Sequence, residues 1–142
     1  MKYKITNNKK EFAGVTLYQI KALKDFGNVK KGELGGWIEK EDNLSQTGNA
    51  WVYGNAEVYG NAEVYGNAEV SENAEVSENA RVYGNAWVSG SARVYGNAKV
   101  YGSARVYGDC ATEEKQREVE TNLSGKKIEI KIDGKSYTAT ID

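Results

Sequence analysis

The sequence predicts an all-β fold built around a parallel β-solenoid, with further strands before and after it. The main observation is a six-residue phrase, x-Val-Tyr-Gly-Asn-Ala, which occurs ten times with few changes between Trp51 and Gly108. Its valines lie six residues apart without a slip, from Val52 to Val106. A short period kept this strictly indicates repeats that bury their apolar sides only by stacking on one another. The second observation is an alternating C-terminal stretch around Asp133-Gly134, which is typical of a β-hairpin.

Residues 1–46 are predicted to cap the open end of the solenoid, because they are apolar in places but not repetitive. Residues 2–6 alternate polar and apolar side chains and predict a short strand, followed by a polar turn at residues 7–10. Residues 15–26 are rich in β-branched and aromatic side chains and predict a second strand. Residues 27–36 contain four glycines and predict a loop that ends at Trp37 and Ile38.

The repeat region, residues 47–110, has a simple physical interpretation. Ala and Val are two positions apart in each phrase, so both side chains point to the same side of a strand. The residue between them and the tyrosine point to the other side, while Gly-Asn tolerates positive φ and forms the corner. If three phrases make one coil, residues eighteen apart stack at a spacing of about 4.8 Å. The inward Val and Ala side chains then fill the interior and leave no cavity for a ligand.

A connector, residues 111–125, is predicted after the repeats. Cys110 takes an inward alanine position just before it, where we expect a buried and inert thiol. Thr112 is followed by acidic residues, a pattern that predicts a short helix with Thr112 as its N-cap.

The C-terminal residues 126–142 are predicted to form a hairpin with Asp133-Gly134 as a two-residue turn. This turn places Ile130 opposite Tyr137 and Ile128 opposite Ala139, all on one side of the hairpin. Because an isolated hairpin is marginal in water, this apolar side must dock on the last coil or on another subunit.

The phrase Val-Tyr-Gly-Asn-Ala resembles the bacterial-transferase hexapeptide repeat. Residues 18–25 (Tyr-Gln-Ile-Lys-Ala-Leu-Lys-Asp) and residues 35–54, which begin Gly-Gly-Trp-Ile-Glu-Lys, are similar to the YdcK-like transferases and to polymer-forming phage and prophage proteins. The resemblance implies a left-handed β-helix of triangular section, for which ten phrases give about three to four coils. It also implies acyl transfer as an activity and a trimer as the assembly.

The residues themselves do not provide the chemistry that the resemblance implies. Hexapeptide acyltransferases use a histidine as general base, and carbonic anhydrases of this fold hold zinc with three histidines, but this chain contains no histidine. Its single cysteine excludes a thiolate metal site. We therefore predict no catalytic residue, no cofactor and no metal site. Glu72 and Glu78 replace corner glycines, so they are either a carboxylate base or solvated substitutions.

The outward side chains are predicted to form three faces. One is a tyrosine ladder with a charge column beside it, formed by Tyr65, Tyr83 and Tyr101 and by Glu63, Arg81 and Lys99. A second carries Tyr59, Ser77 and Tyr95 with Glu57, Glu75 and Arg93. The third contains two tryptophans, which anchor interfaces when exposed. Together with the corner glutamates and the hairpin, it supplies the candidate interface residues Trp51, Tyr53, Glu69, Glu72, Glu78, Trp87, Arg105, Tyr107, Ile128, Ile130 and Tyr137.

Charge and hydropathy narrow the class of function. The 19 basic and 20 acidic residues nearly cancel, and the basic residues of the repeats form no continuous stripe, so direct nucleic-acid binding is not expected. The sequence shows neither a membrane-spanning run nor a signal-peptide pattern, which predicts a cytoplasmic protein.

The leading hypothesis is a non-catalytic scaffold that acts through protein–protein contact as a homo-oligomer, either a trimer or a dimer through the hairpin. A phage- or prophage-encoded inhibitor of a host defence complex is a special case of it. The alternative is a hexapeptide-type acyltransferase with a base other than histidine.

Overall fold

The structure, a computed structural model, describes residues 1–12 and 14–106 in full, and the backbone of residues 111–112, 127–132 and 135–140. Two long strands, β1 (Tyr3–Phe12) and β2 (Val15–Ala22), form an antiparallel hairpin. Strand β2 also pairs with β3 (Leu34–Ile38), and a single 3-10 turn follows at Glu41–Asn43. No helix within the described ranges is long and apolar enough to cross a membrane.

The polar turn predicted at residues 7–10 is wrong, because these residues lie inside β1. The strand passes an irregularity between Ile5 and Lys9 and continues to Phe12, which pairs with Val15. The side-chain amide of Asn8 donates to Gln19 Oε1 of β2 over 3.0 Å. Pairing with the apolar β2 therefore extends the strand through a polar segment that faces solvent on its other side.

The ten phrases form ten very short strands, each made of the outward residue and the valine of one phrase, and one further two-residue strand follows them. In chain order they are β4 (Trp51–Val52), β5 (Glu57–Val58), β6 (Glu63–Val64), β7 (Glu69–Val70), β8 (Glu75–Val76), β9 (Arg81–Val82), β10 (Trp87–Val88), β11 (Arg93–Val94), β12 (Lys99–Val100), β13 (Arg105–Val106) and β14 (Ala111–Thr112). Each pairs in parallel with strands one coil away, as Val52 does with Val70. The predicted register of eighteen residues per coil is confirmed.

Three parallel sheets form the sides of the solenoid, in the orders β3-β5-β8-β11-β14, β4-β7-β10-β13 and β6-β9-β12. The fold is thus a parallel β-solenoid of about four turns, consistent with the left-handed β-helix implied by the resemblance. Strand β3 pairs in parallel with β5, with Ile38 opposite Val58. Leu44 bridges to Val64 on another side, so the first coil begins before the predicted boundary at residue 47.

Hydrogen bonds between coils and within corners explain why each phrase has its sequence. The Tyr53 N–H donates to Val70 O on the next coil over 2.7 Å. The following corner is closed by the Ala56 N–H, which donates to Tyr53 O over 3.1 Å. Gly54 occupies this corner at a φ of +59°, which L side chains adopt only with strain. Glycine at the corner is therefore favoured by backbone geometry, and the residue two positions after it supplies the N–H that closes the corner.

The inward alanines and valines form the core, and each is at most 1% exposed from Ala50 to Val106. Each buried valine contributes about 1.5–3 kcal/mol. Because the same two small side chains recur on every side, the coils match one another in size, and the inward side chains form one continuous column along the axis. The inward positions predicted from the repeat are confirmed.

The N-terminal block closes the first coil with polar as well as apolar groups. The Lys2 ammonium donates to Ala50 O over 2.8 Å, and burial lowers the pKa of this lysine to about 8. The Tyr3 hydroxyl donates to Leu44 O over 2.6 Å. The side-chain amide of Asn43 donates to Ala62 O over 2.9 Å. These contacts satisfy carbonyl groups that would otherwise end the solenoid unpaired.

Trp51 was predicted to be exposed on an outward face, and this prediction is wrong. Its side chain is 0% exposed and packs edge-to-face on Phe26 and Tyr3, with ring centroids 5.2 and 6.1 Å away. Gly35 leaves room for it, because a Cβ there would lie 2.7 Å from Trp51 Cζ2. Trp51 therefore occupies an outward position of the repeat that the cap covers and makes part of the interior.

The C-terminal strands β15 (Lys127–Ile132) and β16 (Lys135–Thr140) pair antiparallel. Ile130 lies opposite Tyr137 and Ile128 opposite Ala139, so the predicted register is confirmed. Thr112 belongs to β14, opposite Val94, where it was predicted to cap a helix. The helix predicted after it lies outside the described residues, as do Cys110 and the hairpin turn.

We predict that Trp51→Ala lowers the free energy of unfolding by about 3–5 kcal/mol, because it empties a large buried site. Trp87→Ala serves as the control; this side chain is 43% exposed, and we expect a loss of about 1 kcal/mol or less. If Trp51→Ala does not fold, Trp51→Phe is measured instead and should lose less, because it keeps an aromatic ring in the buried site. The indole N–H that it removes has no hydrogen-bond partner, so no buried hydrogen bond is lost. Urea unfolding measures all three, and similar losses for Trp51→Ala and Trp87→Ala would contradict the buried position of Trp51.

Candidate interaction surface

The outward side chains form columns along the solenoid axis, because corresponding residues of successive coils lie beside one another. Tyr65, Tyr83 and Tyr101 stack with ring centroids 4.9 and 5.2 Å apart and interplanar angles of 1° and 6°. Beside this ladder, Arg81 Nε lies 3.4 Å from Glu63 Oε2. An exposed pair of this kind contributes about 1 kcal/mol or less. The side formed by β6, β9 and β12 therefore has the predicted ladder and charge column, and both features fit a structural role.

The cap covers the start of the side that contains β5, β8 and β11. The ring of Phe12, at the end of β1, packs edge-to-face on Tyr59 with centroids 5.8 Å apart. The Tyr59 hydroxyl donates to Glu75 Oε1 over 3.2 Å, and Glu75 Oε2 lies 3.3 Å from Arg93 Nε. Most outward side chains on this side thus contact side chains of neighbouring coils or of the β1–β2 hairpin.

The side formed by β4, β7, β10 and β13, which we name the Trp87 face, has a different composition. With Trp51 beneath the cap, its largest exposed group is Trp87. The Arg105 guanidinium lies over this ring, 4.3 Å from its centroid. One coil before Trp87, the Glu69 carboxylate accepts a hydrogen bond from the Tyr53 hydroxyl over 3.1 Å. Aromatic and charged groups are therefore interleaved on this face.

A depression of about 620 Å³ opens on the Trp87 face. Its cause is visible in the sequence, since serine occupies the usual tyrosine position at Ser71 and Ser89. No ring fills the column below Tyr53 on these two coils, and an open space remains beside the indole. Asn28, from the loop between β2 and β3, contributes to the rim. The other main lining residues are Tyr53, Glu69, Ser71, Glu72, Trp87 and Ser89.

The corner residues Glu72 and Glu78 adopt the left-handed conformation, with φ of 59° and 60°. They are the non-glycine residues with positive φ in the described part of the chain, and this conformation costs about 1–2 kcal/mol. Glu78 recovers part of the cost, because its Oε2 accepts a hydrogen bond from the Gly96 N–H over 3.0 Å. Glu72 lines the depression. Strained residues of this kind occur at functional sites more often than elsewhere.

Burial and the neighbouring Glu69 carboxylate raise the pKa of Tyr53 well above its usual value. Both effects disfavour the ionised phenol, which would be poorly solvated and would lie next to a negative charge. Tyr53 therefore stays protonated near neutral pH. It acts as a fixed hydrogen-bond donor that holds the Glu69 side chain at the edge of the depression.

The structure brings together only part of the predicted interface. Tyr53, Glu69, Glu72 and Trp87 line one depression, and Arg105 stacks behind the indole. Glu78 lines a second, smaller depression of about 220 Å³ on the neighbouring side. Tyr107 and the side chains of Ile128, Ile130 and Tyr137 lie outside the described residues.

Sequence reasoning missed Asn28 and the role of the two serines as the floor of the depression. The signal for the serines was present, since a small residue replaces tyrosine on two successive coils of one side. Asn28 had no signal, because its position depends on how the loop of the cap lies on the solenoid. Across the described ranges, no three His, Cys, Asp or Glu side chains are grouped so as to hold a metal ion.

Comparison with known proteins identifies similarities in the repeat region. A family model described as the YdcK β-solenoid repeat matches residues 74–90, 80–96 and 92–108. Residues 74–108 thus match the YdcK type of β-solenoid repeat. It is also similar to a protein of Escherichia coli (strain K12) named uncharacterized acetyltransferase YdcK, with 38% identity over 60 residues. This match covers 37% of the present chain and 18% of the relative, so less than a fifth of the relative's length is matched.

We predict that Tyr53→Phe changes the alkaline stability of the protein. The raised pKa of Tyr53 contributes stability below the unfolded value of about 10, and this contribution is lost as the pH rises further. Native protein should lose up to about 1.4 kcal/mol per pH unit more than Tyr53→Phe above pH 10. Urea unfolding from pH 8 to 11.5 measures the difference, and the other tyrosines are common to both proteins. Parallel stability curves would show that Tyr53 ionises as easily in the folded as in the unfolded chain.

Proposed function

We propose that the chain is a non-catalytic β-solenoid that acts by binding a protein partner through the Trp87 face. The observation that carries this proposal is the division between a uniform interior and a varied surface. The inward positions repeat the same two small side chains, each at most 1% exposed, while the outward positions of the Trp87 face differ from coil to coil. An exposed tryptophan next to a shallow, open depression has the character of an interface anchor.

The rigidity of the face supports the same proposal. Its strands are held in register by hydrogen bonds between coils, such as Trp87 N–H to Ala104 O over 2.9 Å. A partner therefore meets a preorganised surface and loses little free energy in ordering it. The resemblance to phage and prophage proteins makes a host defence complex one candidate partner, and a second copy of this chain another.

Acyl transfer is the second candidate function, because the E. coli relative is named an acetyltransferase. A carboxylate such as Glu72 would then act as the base, since the chain contains no histidine. The surface charge argues against this candidate. The depression carries the carboxylates of Glu69 and Glu72, which repel the phosphate groups of an acyl-coenzyme A.

The proposal predicts that the immobilised protein captures one stoichiometric partner from bacterial lysate, and that Trp87→Ala reduces the captured amount about tenfold or more. Arg81→Ala on the tyrosine-ladder side is the matched control and should capture as much partner as the native chain. Sedimentation at several concentrations of the same three proteins shows whether the partner is another copy. Equal capture by all three proteins would show that the Trp87 face does not bind the partner.

Titration with acetyl-coenzyme A separates the two candidate functions. Calorimetry should give no saturable binding if the chain is a scaffold. Saturable binding that Glu72→Gln abolishes would contradict the scaffold proposal and support acyl transfer.

A further inference from the structure

The depression on the Trp87 face has an excess of negative charge among its lining residues. Glu69 and Glu72 contribute two carboxylates, and no lysine or arginine lines it. A third carboxylate, that of Glu33 on the cap, acts electrostatically on Tyr53 at the rim. The Arg105 guanidinium lies over the indole ring of Trp87. An incoming cation therefore meets more attraction than repulsion here.

The aromatic rings at the depression favour one kind of cation. Trp87 already accepts a guanidinium, because Arg105 lies 4.3 Å from its ring centroid. Arg105 comes one coil after Trp87, whereas the depression involves residues of the coils before it and of its own coil. The indole can thus contact a second planar cation on the side away from Arg105. Tyr53 supplies another ring at the opposite end. Guanidinium groups stack on such rings more readily than ammonium groups do.

The carboxylates are placed to hydrogen-bond such a cation. Tyr53 engages Glu69 Oε1 over 3.1 Å and so fixes the orientation of that carboxylate, whose second oxygen retains accepting capacity. Glu72 projects from a corner that glycine would form without strain, at a φ of 59°. The two serines keep the space between the carboxylates and the rings open. Shape, charge and aromatic surface thus favour the same ligand.

We propose that this depression binds an arginine side chain of a basic segment in the protein partner, with its guanidinium between Trp87 and the carboxylates of Glu69 and Glu72. This proposal rests on the proposed protein-binding function and specifies the chemistry of the partner. The depression is open to solvent and accommodates one side chain presented from outside. Charge complementarity therefore selects a basic protein segment as the occupant.

The test uses the full chain labelled with ¹⁵N, and follows the indole N–H signal of Trp87, assigned by its loss in Trp87→Phe. The probes are Ac-Gly-Arg-Gly-NH₂, the same peptide with citrulline, which is the neutral counterpart of arginine, and the same peptide with glutamate. We expect a saturable shift with the arginine peptide, and binding of the citrulline peptide that is weaker by about fivefold. A citrulline shift equal to that of arginine would overturn the proposal.

Charge variants locate the binding. Glu69→Gln and Glu72→Gln should each weaken the arginine peptide about threefold to fivefold, and Glu63→Gln on the tyrosine-ladder side should leave it unchanged. An arginine shift that persists unchanged in the double variant of Glu69 and Glu72 would contradict the proposal. Spermidine is included as a free polyamine. If spermidine binds in a Glu72-dependent manner and the arginine peptide does not, the occupant is a small amine and the proposal fails.

The outcomes also separate this inference from the proposed function. Lysate capture that depends on Trp87, combined with no preference for arginine over citrulline, would overturn the arginine site and leave the scaffold intact. An arginine shift that depends on Glu69 and Glu72, with no partner lost in Trp87→Ala, would support the site and contradict the scaffold proposal.

Discussion

The fit between successive coils is the constraint on which the rest of the structure depends. Each coil presents the same inward alanines and valines, so it buries its apolar side only when the next coil lies in register eighteen residues on. Backbone hydrogen bonds such as Tyr53 N–H to Val70 O fix that register, and glycine corners keep every side equally long. Since a change at an inward or corner position disturbs two neighbouring coils as well, these positions have little freedom to vary.

Variation is consequently concentrated at the outward positions, with Glu72 and Glu78 as exceptions at the corners, and it takes two forms. On the tyrosine-ladder side the variation preserves stacking, because rings meet rings and Glu63 meets Arg81. On the Trp87 face it breaks the pattern, since serines replace tyrosines and a glutamate occupies a glycine corner. These substitutions introduce backbone strain at the corner and remove contacts between stacked rings. The protein-binding proposal gives this cost a physical reason, because the same changes create an acidic depression lined with aromatic rings.

Much of this could be predicted from the sequence, because the repeat encodes it locally. The inward valines, the coil length, the Tyr65–Tyr83 stacking and the pairing of Ile130 with Tyr137 all follow from period and turn chemistry. Trp51 could not be predicted, because its burial depends on the cap lying over an outward position of the first coil. The polar residues 7–10 were not recognised as a strand, because pairing with β2 overrides their local preference. Both errors concern contacts with residues outside the local sequence segment.

Removing one whole coil tests the dependence on coil register most directly. Deletion of residues 73–90 takes out eighteen residues and joins Glu72 to Ser91. Because three whole phrases are removed, valines still lie opposite valines and corners opposite corners in the remaining coils. Deletion of residues 73–81 removes half a coil and places valines against corners. We predict that the first variant keeps a β-rich circular dichroism spectrum and cooperative unfolding, and that the second loses both. Equal folding of the two variants would contradict the account, because the inward column would then not set the register.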